Sequence, residues 1–95
     1  MLKVALYLRV ENNNKFVRGK TRARRAIEDF VLRPYAMEKP DKNGWDYLLT
    51  LLYQSQDDLD NTIYEILQEA QSTADSYNCF IESDVRALDG SERSW

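Results

Sequence analysis

Hydrophobic and polar residues alternate strictly at the start of the chain. Every second position is occupied by an aliphatic residue: Leu2, Val4, Leu6, Leu8 and Val10. The positions between them hold Lys3, Ala5, Tyr7 and Arg9. In an extended segment this spacing places the five apolar side chains on one face, which is typical of a half-buried strand. The pattern predicts a strand over residues 2–10, ended by the turn-forming residues 11–14.

A second periodicity, of helical type, follows Thr21, which is a candidate N-cap. The predicted helix must end near Leu32, because Pro34 disfavours helical geometry at Arg33. Its apolar stripe consists of Ala23, Ala26, Ile27, Phe30 and Val31.

The clearest helix follows Ser55-Gln56-Asp57-Asp58, which resembles a capping box with Asp in place of Glu. Acidic residues in this first turn suit the positive end of the helix dipole. Asn78 is the predicted end of the helix. Its predicted buried stripe contains Leu59, Ile63, Ile66, Leu67, Ala70 and Ala74.

Three further strands complete the predicted order. Residues 33–39 favour a short edge strand, the sequence Pro40 to Gly44 predicts a turn, and residues 45–54 and 79–88 predict two longer strands. Strand, helix, strand, strand, helix, strand predicts an α+β fold, the ferredoxin-like βαββαβ sandwich. It has a four-stranded antiparallel sheet, its first and third strands central, and two helices on one face. A second interpretation omits the strand at 33–39 and extends the first helix.

Length and composition predict one domain and a reducing environment. The 95 residues fit a single α+β domain over 1–88 with a polar tail over 89–95. The chain has no apolar run near the ~20 residues that span a bilayer, and its start has no signal-peptide features. We expect a cytoplasmic protein without a membrane partner, in which the single Cys79 packs as a buried apolar residue.

The residue types limit the chemistry. The chain has no histidine and one cysteine, which removes the commonest general base and excludes a structural zinc site within one chain. This composition still permits carboxylate sites for magnesium or calcium, although no EF-hand spacing occurs. We predict no metal site, no cofactor and no catalytic residues, and favour a protein that is not an enzyme.

Positive charge is concentrated in one segment. The net charge is −3, yet residues 15–25 carry six cations and no acid, so the remainder carries −9. This arm predicts an anionic partner, either an acidic protein or nucleic acid. Alternatively, its side chains pair with the acidic remainder, including that of a second copy. The six residues are Lys15, Arg18, Lys20, Arg22, Arg24 and Arg25.

The predicted third strand is apolar on both faces, although two helices can cover only one face of the sheet. An uncovered apolar face of this size is rare in a monomer. We therefore predict a homodimer joined through the sheet face; cover by the tail with Trp95 is the alternative. The residues predicted on this face are Tyr7, Trp45, Tyr47, Leu49, Leu51 and Tyr53.

Two short segments on that sheet resemble the RNA-recognition motif. Leu6-Tyr7-Leu8 is similar to its first aromatic pattern and Gly44-Trp45-Asp46-Tyr47-Leu48 to its second, although Asp46 replaces a small residue and Thr50 an aromatic one. The resemblance implies base stacking on Tyr7, Trp45 and Tyr47.

A third function follows from the position of Val17-Arg18-Gly19-Lys20. These residues lie between the first strand and first helix, where acylphosphatases of the ferredoxin-like fold bind phosphate, although the Gln-Gly-Val-x-Phe-Arg sequence is missing. The resemblance implies charge stabilisation by Arg18. The favoured function remains a small non-catalytic homodimer with a basic arm, ahead of a nucleic-acid-binding module and an acylphosphatase-like hydrolase.

Overall fold

The computed structural model describes residues 2–15, 18–41 and 43–88. The tail at 89–95 and Val17 therefore lie outside the described residues. The elements are β1 (Leu2–Asn12), α1 (Lys20–Ile27), a π-helical turn (Glu28–Leu32), β2 (Met37–Glu38), β3 (Tyr47–Tyr53), α2 (Gln56–Asp75) and β4 (Cys79–Ala87).

The four strands form one antiparallel sheet in the order β2-β3-β1-β4. At its centre, Leu6 on β1 lies opposite Leu49 on β3 and Val85 on β4. The prediction of an α+β fold with a four-stranded antiparallel sheet and two helices is confirmed, as is the central position of the first and third strands.

The hydrophobic core lies between the sheet and the helices. Val4, Leu6, Leu8 and Val10 are buried in it, which confirms the predicted face of β1. The predicted α2 stripe is buried too, with Leu67 partly so. Cys79 belongs to the same core, and its burial raises the pKa of its thiol. No helix in the described part of the chain is long and apolar enough to cross a membrane.

The second strand is much shorter than the predicted segment 33–39. Only Met37 and Glu38 pair with β3, opposite Leu49 and Leu48. The preceding residues turn away from the helix, with the Tyr35 amide donating to the Leu32 carbonyl at 2.9 Å. Pro40 then removes a backbone donor and ends the ladder.

The start of α1 differs from the prediction because a tertiary contact fixes it. Gly19, not Thr21, is the N-cap, and no side chain caps the helix. A β-carbon at Gly19 would overlap the carbonyl oxygen of Tyr77, which follows α2. The close approach of these two backbones therefore requires glycine and sets where α1 begins.

The predicted apolar stripe of α1 is wrong at Phe30. A π-helical turn hydrogen-bonds residues five apart, so it places Leu32 rather than Phe30 on the side of Ile27. Val31 and Leu32 are buried, whereas Phe30 is 78% exposed. An uninterrupted α-helix of the same sequence would turn Phe30 toward the core.

Candidate functional site

Four of the residues predicted on the outer sheet face lie under the helices instead. Because Leu49 pairs with the buried Leu6, the two side chains share the helix-covered face. Leu49 and Leu51 are 0% and 3% exposed, Tyr47 is buried with them, and Tyr53 packs against the same core. The prediction for these four is wrong, because every residue of β3 except Thr50 is apolar, so the sequence has no clear alternation that would assign a face.

The face opposite the helices carries the alternate residues of β3. Leu48, Thr50 and Leu52 lie opposite Tyr7, Ala5 and Lys3 of β1. Leu48 and Tyr7 are buried in a small second cluster, whereas Leu52 is 52% exposed. This face is therefore mixed in character rather than uniformly apolar.

Tyr7 and Trp45 lie together on that outer face. Their ring centroids are 5.8 Å apart, and the Tyr7 hydroxyl donates to Asp41 at 2.7 Å. This hydrogen bond is the main cause of the raised pKa of Tyr7. The Arg9 guanidinium covers Trp45 at 4.9 Å from the ring centroid and also pairs with Glu82.

The three aromatic residues of the predicted base-stacking surface do not lie exposed on one face. Tyr47 lies on the other side of the sheet, and Tyr7 is only 5% exposed. Trp45 is in contact with both Tyr7 and Arg9. The described residues therefore do not present the three aromatic faces that the resemblance to the RNA-recognition motif implies.

Tyr47 instead belongs to a polar network that joins α1 to β3. Its hydroxyl donates to the Glu28 carboxylate at 2.8 Å and lies 3.1 Å from the Arg24 carbonyl oxygen. Burial, followed by the hydrogen bond to Glu28, raises the pKa of Tyr47. The neighbouring Asp46 pairs with Arg24 at 2.9 Å and accepts from the Val10 amide at 2.8 Å. Asp46 thus extends the contact between β1 and β3 to the residue that precedes β3.

The six residues of the predicted basic arm divide into a paired set, an unpaired set and Lys15. Lys20 pairs with Glu11 at 3.5 Å and Arg24 with Asp46, so these cations have structural partners. Lys15 is exposed beyond the end of β1. Arg18, Arg22 and Arg25 are exposed and have no ion-pair partner among the described residues. We call these three residues the arginine surface.

An apolar cavity adjoins the arginine surface. Its volume is about 260 Å³, and Arg22 and Arg25 form part of its wall. Ala26, Phe30 and Tyr77 provide its apolar lining, and Thr21 lines it as well. The side chain of Phe30 also lines a second groove toward α2. Unpaired cations, an exposed aromatic ring and a cavity therefore meet on one side of α1.

The segment compared with acylphosphatases has a different local role. Lys20 is held by Glu11, and Gly19 is required by its contact with Tyr77. Arg18 is exposed. Within residues 2–15, 18–41 and 43–88, no cluster of carboxylates and Cys79 has the arrangement of a metal site.

No protein-family model, curated protein or solved structure matches the chain. The function must therefore be argued from the arginine surface and the sheet themselves.

Sequence reasoning found the three arginines but missed Phe30 and the cavity. The spacing of the apolar residues could not have revealed the exposure of Phe30. Phe30, Val31 and Leu32 are three, four and five positions after Ile27. This run fits a regular α-helix with Phe30 inward as well as a π-helical turn with Leu32 inward.

Proposed function

We propose that the protein is a non-catalytic interaction domain that binds an acidic polypeptide through α1. The observation that carries this proposal is the arginine surface beside the exposed ring of Phe30. Arginine and aromatic residues are the types most often responsible for binding energy at protein interfaces. A partner with carboxylates around an apolar side chain would match both features.

Electrostatics support an acidic partner. Arg22 lies in the first turn of α1, where the helix dipole disfavours a cation, and that turn has no acidic residue. A carboxylate bound there would offset this cost and accept from the guanidinium groups. The basic residues of the arm that already have acidic partners, Lys20 and Arg24, are not needed for this contact.

The cavity favours a polypeptide over nucleic acid. Its Ala26, Phe30 and Tyr77 lining offers burial to an aliphatic or aromatic side chain. Nucleic acid would use the arginines but gain less from an apolar cavity. Nucleic-acid binding is therefore the competing outcome of the test below.

Self-association and the finer fold assignment remain part of the proposal. The sheet order β2-β3-β1-β4 supports the ferredoxin-like arrangement, from which the two-residue β2 and the π-helical turn are departures. The support for a homodimer through the sheet face is the exposure of two leucines, Leu52 and Leu88. They lie opposite Lys3 of β1 on its two neighbouring segments.

The test compares three fluorescent probes by anisotropy: an acidic peptide with regularly spaced leucines, polyglutamate of equal charge, and single-stranded RNA. We expect the leucine-containing peptide to bind most tightly. Phe30→Ala, and separately Arg22→Glu with Arg25→Glu, should each weaken its binding roughly tenfold.

Lys39→Glu is the matched control, because Lys39 is an exposed cation in the β2–β3 connection, remote in sequence from α1. It should leave the affinity nearly unchanged. Tighter binding of RNA, with a steep salt dependence that the arginine variant reduces, would replace the proposal with the nucleic-acid alternative. Equal binding by wild type and both α1 variants would refute any role for this surface.

A further inference from the structure

The outer edge of β4 has backbone groups that are available for pairing. The Leu88 amide donates to the Lys3 carbonyl, and the Asn13 amide to the Asn78 carbonyl, so even-numbered residues of β4 bond to β1. The backbone groups of the odd-numbered residues therefore point away from the sheet. β4 is nine residues long, whereas the opposite edge strand has two.

Only the first part of this edge has a partner. The Ile81 amide donates to the Gln71 side chain of α2 at 3.0 Å. The outward backbone groups of Ser83, Val85 and Ala87 have no partner among the described residues. An exposed edge with free donors and acceptors is a template for another strand.

A groove runs beside this free edge. Its volume is about 430 Å³, and it lies between α2 and β4. Ile63, Tyr64 and Leu67 from α2 and Val85 from β4 supply its apolar lining, and Tyr64 is 64% exposed. A strand added to β4 would cover this groove with its own side chains.

The side of α2 that borders the groove is suited to a second copy of α2. It carries Asp60, Tyr64, Leu67 and, one turn later, Gln71. Of the six acidic residues of α2, only Asp60 lines the groove. Charge repulsion between two copies is therefore smallest along this side.

We propose that a second copy of the chain pairs with this edge, β4 against β4 and antiparallel, about a two-fold axis at Val85. This inference rests on the proposed homodimer and assigns its surface to the sheet edge instead of the sheet face. Val85 faces the partner's Val85 as a hydrogen-bonded pair, and Ser83 faces the partner's Ala87. The two sheets join into one sheet of twice the strand number.

Charge complementarity selects this register. With the axis at Val85, Asp84 lies opposite the partner's Arg86 as a non-hydrogen-bonded pair, in which side chains approach most closely. The two-fold axis makes this contact twice. Asp84 and Arg86 already pair within one chain at 2.9 Å, so both side chains are extended along the outer sheet face.

The two neighbouring registers are disfavoured by the same residues. An axis at Asp84 or at Arg86 also places odd-numbered residues opposite one another. The first sets Asp84 against the partner's Asp84 and the second sets Arg86 against the partner's Arg86, and like charges in directly opposed positions repel. In each of these registers α1 remains accessible, because it packs against β1 and α2. The dimer therefore presents two arginine surfaces.

Charge reversal tests the pairing through the mass in solution, measured by light scattering over a range of concentrations. Wild type should have twice the mass of one chain. Asp84→Arg and Arg86→Asp alone should each weaken dimerisation roughly tenfold or more, because like charges then face each other twice. The double variant Asp84→Arg with Arg86→Asp should restore the dimer, since the opposed charges are again unlike.

Disulfide formation tests the register independently of charge. Val85→Cys should crosslink to its symmetry mate on oxidation, because a hydrogen-bonded pair has Cα atoms about 5.5 Å apart, within disulfide range. Ser83→Cys, which is displaced from its own mate by four residues along the strand, should not. Wild type is the control, since its Cys79 is buried.

The outcomes separate this inference from the proposed homodimer. A wild-type monomer at every concentration would refute both. A dimer that survives both single reversals and is disrupted by Leu52→Asp would keep the homodimer and refute edge pairing. Crosslinking by Ser83→Cys in place of Val85→Cys would refute the register.

Discussion

The two helices differ in how well they follow the local sequence preferences of a helix. α2 has 20 residues, and the Ser55 hydroxyl accepts from the Asp58 amide at 3.2 Å at its start. Acidic residues occupy its first turn, and Asn78, with φ of 58°, lies just beyond its end. α1 has eight residues, no side-chain cap and no acid in its first turn.

The difference shows where each helix obtains its stability. α2 satisfies the rules of an isolated helix, whereas α1 depends on contacts with other elements. Gly19 contacts Tyr77, Arg24 pairs with Asp46, and Glu28 accepts from Tyr47. Local sequence preferences are commonly broken at functional sites, and α1 breaks them in the segment that carries the arginine surface and Phe30.

The largest expected effect tests the π-helical turn, which has no counterpart in α2. Leu32→Ala should lower the free energy of unfolding by about 3 kcal/mol, because it leaves a cavity in the core. Phe30→Ala should change it by less than about 0.5 kcal/mol, because the ring is exposed. Urea unfolding followed by circular dichroism measures both.

A regular α-helix would give the opposite ranking, with a large loss at position 30 and a small one at position 32. That result would remove the π-helical turn and with it the exposed aromatic ring of the candidate site. The two variants control for each other, since both remove a large apolar side chain from the same turn.

A smaller effect is expected at the junction of the two helices. Gly19→Ala should destabilise the fold by about 2 kcal/mol, because the new methyl group overlaps the Tyr77 carbonyl and forces the backbones apart. Thr21→Ala, two residues later and exposed, should be nearly neutral. Equal thermal midpoints for Gly19→Ala and wild type would mean that α1 is not anchored at this contact.

The parts of the fold that the sequence predicts are those with one unambiguous period. β1 alternates strictly, and α2 combines a helical stripe with a capping residue, so their faces are correct. β3 has apolar residues at consecutive positions, and only its pairing with β1 decides that Leu49 faces inward and Leu48 outward. The π-helical turn after α1 is likewise decided by tertiary packing, which buries Leu32 and leaves Phe30 exposed.

The candidate site is predictable in its charge but not in its shape. Charge is a property of composition, so the basic segment is visible in the sequence. Which cations remain unpaired depends on Glu11 and Asp46, which tertiary folding brings to Lys20 and Arg24. The cavity depends on the π-helical turn and on Tyr77, which is distant in sequence.

The smallest change in stability at neutral pH is expected for substitution of Tyr47, whose hydroxyl connects β3 to α1 and the π-helical turn. Tyr47→Phe should cost about 1 kcal/mol there, because it removes the hydrogen bond to Glu28. In wild type, burial and this hydrogen bond raise the pKa of Tyr47 above its unfolded value of about 10. Above that pH the unfolded chain releases a proton that the folded chain retains, so stability falls as pH rises.

Tyr47→Phe should therefore reduce the alkaline loss of stability while lowering stability at neutral pH. Part of the loss should persist, because the pKa values of Tyr7 and Tyr35 are raised as well. Tyr64→Phe is the control, since Tyr64 is an exposed tyrosine on α2. Identical pH profiles for Tyr47→Phe and Tyr64→Phe would show that α1 is not held to the sheet by this hydroxyl, and the contrast between a self-sufficient α2 and a dependent α1 would lose one of its three contacts.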